Sequence, residues 1–331
     1  MTEKMIESRG LRRVYKTRAG EVEAVRGVDF TVDTGEIVGF LGPNGAGKTT
    51  TLQMLTTLLR PTEGTATVAG FDLASDPVGV RRRIGYVAQG GGTDPEARAG
   101  EEIVDHARMY GIDRDVAVGN GEALFAQLDL EGLWKRQCKT LSGGQRRRLD
   151  IAMGLVHQPG LVFLDEPSTG LDPQSRANLW GHIAGLRDDM GTTVFLTTHY
   201  MDEADLLCDR ILVIDEGEIV ARGTPDELKR SVQGDSVTIG FAGAENASTV
   251  ATIASNVEDA SEPEIEGTEL RFRVPHGAGV LPGFLREMVA KDIDLTAVEV
   301  HRPTLDDVFL TLTGRSLRED NVETNPAEQA A

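Results

Sequence analysis

The 331 residues carry a formal net charge of −19, with 26% charged and 40% hydrophobic side chains. This length can bury one large core and a smaller second one, so two domains are the first expectation, and an acidic balance without a long Lys/Arg stripe argues against nucleic acid as the main partner. No window approaches the ~18 continuous apolar residues of a membrane span, and the opening MTEKMIESRG has no apolar leader and reads as lacking a signal peptide. If the protein works at a membrane, another chain must cross it. Cys138 and Cys208 stand far apart without metal-ligand spacing, which fits a reducing cytosol. The short basic runs Arg81–Arg83 and Arg146–Arg148 read as solvated helix faces.

In chain order, Met5 to Val32 reads as short strands with turns between them, and Val28, Phe30 and Val32 alternate as in a half-buried strand. Tyr15, just before the polar turn KTRAGE, reads by itself as an edge-strand aromatic. Glu36 to Leu59 then runs as an apolar strand (Ile37 to Leu41), a glycine-rich turn and a helix. Gly42, Gly47, Lys48 and Thr49 fill the pattern G-x-x-x-x-G-K-[ST], with Pro43, Asn44, Gly45 and Ala46 between them and Thr50 after. Such a turn curls its N–H groups around a di- or triphosphate at the positive end of a helix. Lys48 is expected to reach the β/γ oxygens, and the Thr49 hydroxyl is expected to bind Mg²⁺, a hard cation that prefers oxygen.

Arg60 to Gly64 ends that helix and Thr65 to Val68 resumes extended structure. Ile84 to Ala88 is a short strand ending at Gln89; ligand chemistry collects at such ends in open α/β sheets, although one Gln alone is weak. From Asp94 to His157 the composition turns helical, with Glu101 to Tyr110 and Gly121 to Leu130 carrying apolar residues at three and four spacings. Within this block lies Leu141-Ser142-Gly143-Gly144-Gln145. Ser142 is a natural N-cap and the glycines leave the next amides uncovered, so the stretch is either a second anion site or an ordinary capped helix.

Leu161 to Leu164 is a buried strand ending in Asp165 and Glu166. Alternation along a strand would point these carboxylates to opposite faces, one near a metal and one near an attacking water; the plainer alternative leaves both exposed in a turn. Thr192 to Thr198 is a strand followed by His199, a position that alone suits a surface residue. Arg210 to Arg222 reads as a hairpin around Asp215-Glu216-Gly217, and Thr224-Pro225-Asp226-Glu227 opens a short closing helix. Beyond Gln233 the chain holds a net charge of about −11, strand-like SVTIGF and LRFRV with helices between, and so a small α+β domain. Thr304 with Asp307 can cap a helix whose Leu305, Val308, Phe309 and Leu312 share a face.

Over roughly its first 230 residues the chain resembles the ATP-binding subunit of ATP-binding cassette (ABC) transporters. GPNGAGKT, Gln89 at the Q-loop position, LSGGQ, LVFLD with Glu166, TGLD at Thr169–Asp172 and His199 occur in the family's order and spacing. The resemblance implies an α/β fold: a P-loop ATPase core over residues 1–232 with an antiparallel β subdomain and an inserted helical subdomain near 94–157. Residues 233–316 would be the accessory domain and 317–331 a disordered tail. It further implies that two cassettes pair head to tail as a homodimer, each ATP lying between the phosphate loop of one and Ser142, Gly143, Gly144 and Gln145 of the other. Glu166 would act on water, Asp165 would hold Mg²⁺ indirectly, Gln89 would sense Mg²⁺ and water, His199 would contact the γ-phosphate, and Tyr15 would stack on adenine. The stretch AQGGGTDPEARAGEEI departs from the commoner wording by being Gly-rich and acidic, which bears on partner contacts rather than on ATP chemistry. The segment PTLDDVFLTLTGR is similar to the tail motif of the daunorubicin/doxorubicin-resistance branch, which implies an exporter of a drug, antibiotic or lipid working with a separate multi-span permease at the cytoplasmic membrane face. A soluble cassette of the translation or DNA-repair type, and an importer ATPase, are the alternatives.

Overall fold

Two long strands replace the short ones expected over Met5 to Val32. β1 (Lys4–Thr17) and β2 (Gly20–Asp33) form an antiparallel hairpin in this computed structural model, which describes residues 3–18, 20–232, 234–275 and 277–314. The register shifts between Ser8 and Leu11, where Gly10 has a φ of 55°. Bulges of this kind interrupt alternation without ending a strand, which is why the pattern reads as broken. The tail 317–331, expected to be disordered, lies outside the described residues.

β3 (Ile37–Leu41) is wholly buried and is followed, after the glycine-rich loop, by α1 (Lys48–Leu55). This helix stops well before Arg60: Thr57 has a φ of 63°, and the Thr56 hydroxyl donates to the Leu52 carbonyl. β4 (Glu63–Val68) and β5 (Phe71–Asp72) complete a four-stranded antiparallel sheet of order β2-β1-β4-β5. After α2 (Pro77–Arg83) and β6 (Ile84–Val87) come the helices of the inserted block, α3 (Ala99–Met109), α4 (Arg114–Gln127) and α5 (Gly143–Leu155). α4 begins ahead of the expected Gly121 because Asp113 caps it, its carboxylate accepting from the Asp115 N–H.

β7 (Leu161–Asp165), α6 (Pro173–Asp188), β8 (Thr193–Thr198), α7 (Met201–Leu207), β9 (Arg210–Asp215) and β10 (Glu218–Gly223) follow. The second sheet has the order β10-β9-β3-β8-β7-β6 and is parallel except for β10. The β9–β10 turn puts Glu216 and Gly217 at positive φ, as a two-residue hairpin loop matched to strand twist requires. β3, β7 and β8 are buried along their whole length and accordingly read as unbroken apolar runs rather than alternating ones. Phe30 of the first sheet packs on Phe40 and Phe195 of the second, with ring centroids 6.1 and 5.8 Å apart.

The described chain divides into two compact units at Pro225/Asp226. α8 (Pro225–Ser231) starts at that boundary, and β11 (Asp235–Phe241), α9 (Ala247–Ser255), β12 (Glu264–Glu266), β13 (Glu269–Val274), α10 (Gly277–Ala290), β14 (Leu295–His301) and α11 (Leu305–Thr313) follow. The strands form an antiparallel sheet of order β12-β13-β11-β14. Val237, Ile239, Leu270 and Phe272 from the sheet and Val250, Ile253, Phe284 and Met288 from α9 and α10 make one core. Thr304 and Asp307 cap α11 reciprocally, and Leu305, Val308 and Phe309 are buried. Leu312 departs from the expected shared face: it sits in the last turn before Gly314, whose φ of 73° ends the helix, and is 43% exposed. No helix among the described residues is long and apolar enough to cross a membrane.

Candidate active site

Parallel strands place their carboxyl ends on one edge of a sheet, so the segments after β3, β6, β7 and β8 open side by side. After β3 comes the loop from Gly42 to Gly47. Gly45 and Gly47 have φ of 83° and 104°, and a Cβ on Gly47 would press against the Ala24 carbonyl at 2.5 Å, so only glycine fits there. Pro43 and Ala46 are buried, Asn44 and Gly45 are exposed at the rim, and Thr50 is half-buried on α1. Gly47 is the N-cap of α1 and, among the described residues, no side-chain hydrogen bond caps that end, which leaves the first amides to the loop.

Lys48 is 4% exposed and donates from Nζ to the Gly42 and Pro43 carbonyls at 2.7 and 3.0 Å. Burial pushes its ammonium below its usual range, opposed mainly by the charge of Glu166 3.4 Å away. The Thr49 hydroxyl donates to Asp165 Oδ1 at 3.2 Å, and the same oxygen accepts from the Thr197 hydroxyl at 2.6 Å. A hydroxyl and a carboxylate thus share one flank of the loop.

Glu166 lies at the centre of the site. Its Oε2 accepts from Gln89 Nε2 at 2.8 Å and from the Thr169 hydroxyl at 3.1 Å, while Oε1 is 3.4 Å from Lys48 Nζ and 3.3 Å from His199 Nδ1. Burial alone would raise its carboxyl, but the His199 contact, the Lys48 charge and the Thr169 hydroxyl outweigh burial and hold it at about 2. Strand alternation does not govern this pair of acids, contrary to expectation. β7 ends at Asp165, and Glu166 has a φ of 43°, in the left-handed region that non-glycine residues seldom occupy. That turn lets Asp165 and Glu166 approach adjacent residues of the phosphate loop, Thr49 and Lys48.

The structure therefore brings Lys48, Thr49, Gln89, Asp165, Glu166 and His199 together. Ser142 caps α5, with Gln145 completing a capping box, but among the described residues no hydrogen bond or ion pair joins Ser142, Gly143, Gly144 or Gln145 to that group. Tyr15 sits opposite Val22, past the last pairing of β1 with β4, with the Arg13 guanidinium 4.7 Å over its ring. Among the described residues no bond or ring contact ties it to the phosphate loop.

Sequence reasoning missed several residues here. Arg147 and Arg148 are buried, so the run Arg146–Arg148 is not a solvated face, whereas Arg81–Arg83 is exposed. The available signal was helical spacing: Arg147 stands four residues before Ile151, on the inward side of α5. Thr197 binds Asp165 and, through the same oxygen, accepts the Glu166 N–H at 3.0 Å. Behind the Glu166 loop the Ser168 hydroxyl donates to the buried Glu203 carboxylate, and Trp180 Nε1 donates to both partners at 2.9 and 3.0 Å. Burial pushes Glu203 above the ordinary carboxylate range. Nothing local marks that cluster, which three separate segments supply.

Residues 25–169 match the ABC transporter family, and residues 223–313 match the C-terminal domain of DrrA1-3-like ATP-binding proteins. The chain is 40% identical over 312 residues to the daunorubicin resistance ATP-binding protein DrrA2 of Streptomyces coeruleorubidus, covering 94% of this chain and 96% of that protein. It is 38% identical over 308 residues to the Nod factor export ATP-binding protein I of Burkholderia lata, covering 93% and 97%. Among solved structures, the dimeric structure of MJ0796, a bacterial ABC transporter cassette, is similar with a TM-score of 0.61 at 25% identity, over 66% of this chain and 98% of that one.

Proposed function

We propose, for a chain that belongs to the ATP-binding subunits of ABC transporters and hydrolyses ATP, that it works as a head-to-tail homodimer driving export through a separate membrane-spanning permease. The observation that carries this reading is the split between two anion sites. The phosphate loop lies among Gln89, Asp165, Glu166 and His199, whereas the capped end of α5 is bonded to none of them. A second copy turned head to tail supplies Ser142, Gly143, Gly144 and Gln145 to the γ-phosphate held by the first, so ATP joins the two chains.

Within that arrangement the backbone from Gly42 to Gly47 with Lys48 and Thr50 holds the phosphates, and Tyr15 stacks on the base. Thr49 and Asp165 fit a magnesium ion: a hydroxyl and a carboxylate oxygen, the hard donors that such a cation prefers, stand 3.2 Å apart beside the phosphate loop. Bound there, Mg²⁺ would neutralise charge on the phosphate oxygens. Glu166 orients and activates water, Gln89 reports on water and metal through its bond to Glu166, and His199 fixes the γ-phosphate; the chain's contribution is positioning and charge stabilisation. Export of a drug, antibiotic or lipid follows from likeness to relatives named for daunorubicin resistance and Nod factor export. The permease would hold the chain at the cytoplasmic face of the membrane.

A cross-linking experiment tests the dimer. In a Glu166→Gln background, chains carrying Asn44→Cys and chains carrying Ser142→Cys are mixed with Mg·ATP and mildly oxidised. A covalent dimer should form from the mixture and from neither chain alone; a cross-link within either single preparation refutes the head-to-tail arrangement. Made together with its permease, the chain should sediment with membranes, and recovery wholly in the supernatant refutes the transport half.

A further inference from the structure

The helix that opens with Ser142 carries two buried opposite charges one turn apart, Arg147 and Asp150, each 7% exposed. Arg147 spends its guanidinium on main chain: Nη1 donates to Ala88 O at 2.6 Å, Nη2 to Asp165 O at 2.9 Å and Nε to Pro167 O at 2.9 Å. Ala88 immediately precedes Gln89, and Asp165 and Pro167 flank Glu166. On the far side of Gln89, Asp150 Oδ1 accepts the Gly92 N–H at 3.0 Å. Its other oxygen lies so close under Gly91, where φ is 72°, that a Cβ there would stand 2.7 Å away. One helix thus grips the Gln89 segment at both ends and the Glu166 loop on both sides.

Burying two charges is expensive unless their hydrogen bonds are met, and for filling a core apolar side chains serve as well or better. Arg148 shows what packing alone looks like in the same helix: it is also buried, and its bond to the Asp129 carbonyl is 3.4 Å long. Arg147 and Asp150 instead place their hydrogen bonds on backbone beside Gln89 and Glu166, the groups that face the γ-phosphate. A planar fork of donors suits three carbonyls in fixed directions; an ammonium on a flexible stem does not.

We propose that Arg147 and Asp150 are positioning residues that transmit the docking of the Ser142–Gly144 helix end to Gln89 and Glu166 of the same chain. The inference rests on the head-to-tail reading. In such a pair each α5 start serves the nucleotide held by the other copy, while its Arg147 and Asp150 hold the chain's own hydrolytic groups, so closing one site aligns the other.

The test uses the full chain with Asp150→Ala, Asp150→Asn and Arg147→Lys. Asp150→Ala should lower kcat at saturating Mg·ATP by about tenfold or more, the scale on which loss of alignment acts. Affinity for a fluorescent ATP analogue should stay within about twofold, because the phosphate loop is untouched. Asp150→Asn keeps an acceptor for the Gly92 N–H and should recover most of the rate; Arg147→Lys, with charge kept and fork lost, should behave like Asp150→Ala. Should Arg147→Lys fail to fold, the Asp150 pair decides. Wild-type kcat in Asp150→Ala overturns the proposal, as does a joint loss of kcat and nucleotide affinity that Asp150→Asn does not repair. Glu166→Gln that stays monomeric in ATP removes the head-to-tail reading, and with it the coupling between sites, whatever the other variants do.

Discussion

Replacing Glu166 by Gln removes one charge from the centre of the site and keeps its shape. The Gln oxygen can still accept from Gln89 and Thr169, whereas its NH₂ is left facing Lys48 and His199, where a carboxylate oxygen stood 3.4 and 3.3 Å away. The Glu166 carboxyl is held at about 2 against an ordinary 4.5, and a depressed carboxyl contributes stability that is complete above its unfolded value and is lost as pH falls through the folded one. At about 1.36 kcal/mol per unit that contribution is on the order of 3 kcal/mol at neutral pH. Glu166→Gln should therefore unfold at lower urea than wild type at pH 7, with the gap closing as pH approaches about 2. Loss of a positioned base costs about 10²- to 10⁴-fold in rate, or about 3 to 5 kcal/mol of barrier. ATP should still bind, and the stalled chain should elute as an ATP-dependent dimer by size-exclusion chromatography with light scattering. Adding Ser142→Arg should abolish that dimer by filling the proposed second anion site. A wild-type rate of phosphate release refutes Glu166 as the acting carboxylate; an inactive variant that stays monomeric in ATP refutes the sandwich.

Lys48→Ala removes the cation proposed to face the β/γ-phosphates and should abolish hydrolysis, so unchanged phosphate release at saturating Mg·ATP would sink the assignment of the loop. Phe309, 1% exposed on α11, should cost about 3 to 5 kcal/mol of stability in the second unit when replaced by Ala, with ATP binding retained and export lost; normal export by that variant would show α11 to be dispensable. His157 stacks on Tyr110 at 3.7 Å and bonds the Ile84 carbonyl, and burial holds its imidazole down at about 4. Protons then favour the unfolded chain as pH falls below about 6.5, and wild type should lose roughly 3 kcal/mol more than His157→Phe between there and about pH 4; parallel urea midpoints across that range would show that His157 does not titrate on unfolding.

The phosphate loop was legible because its physics is local: glycines where φ must be positive, a lysine and a threonine at the helix start, and an apolar strand before them. The α5 cap at Ser142, the β9–β10 turn and the Thr304–Asp307 box were readable for the same reason, each being complete within a few residues. Gln89, Asp165, Glu166 and His199 could be picked out one at a time as polar residues at strand ends, but the meeting of Gln89 and His199 at the Glu166 carboxylate, and of Asp165 with Thr49, depends on strand order, which no short stretch contains. Tertiary structure also decided the direction of Glu166, through a backbone turn that strand alternation does not foresee, and the fate of Arg147. A basic triplet looks solvated because charge prefers water; Arg147 is buried because three carbonyls converge on it, from Ala88 just past β6, Asp165 at the end of β7 and Pro167 beyond it, and only the folded packing of α5 against those strand ends assembles them.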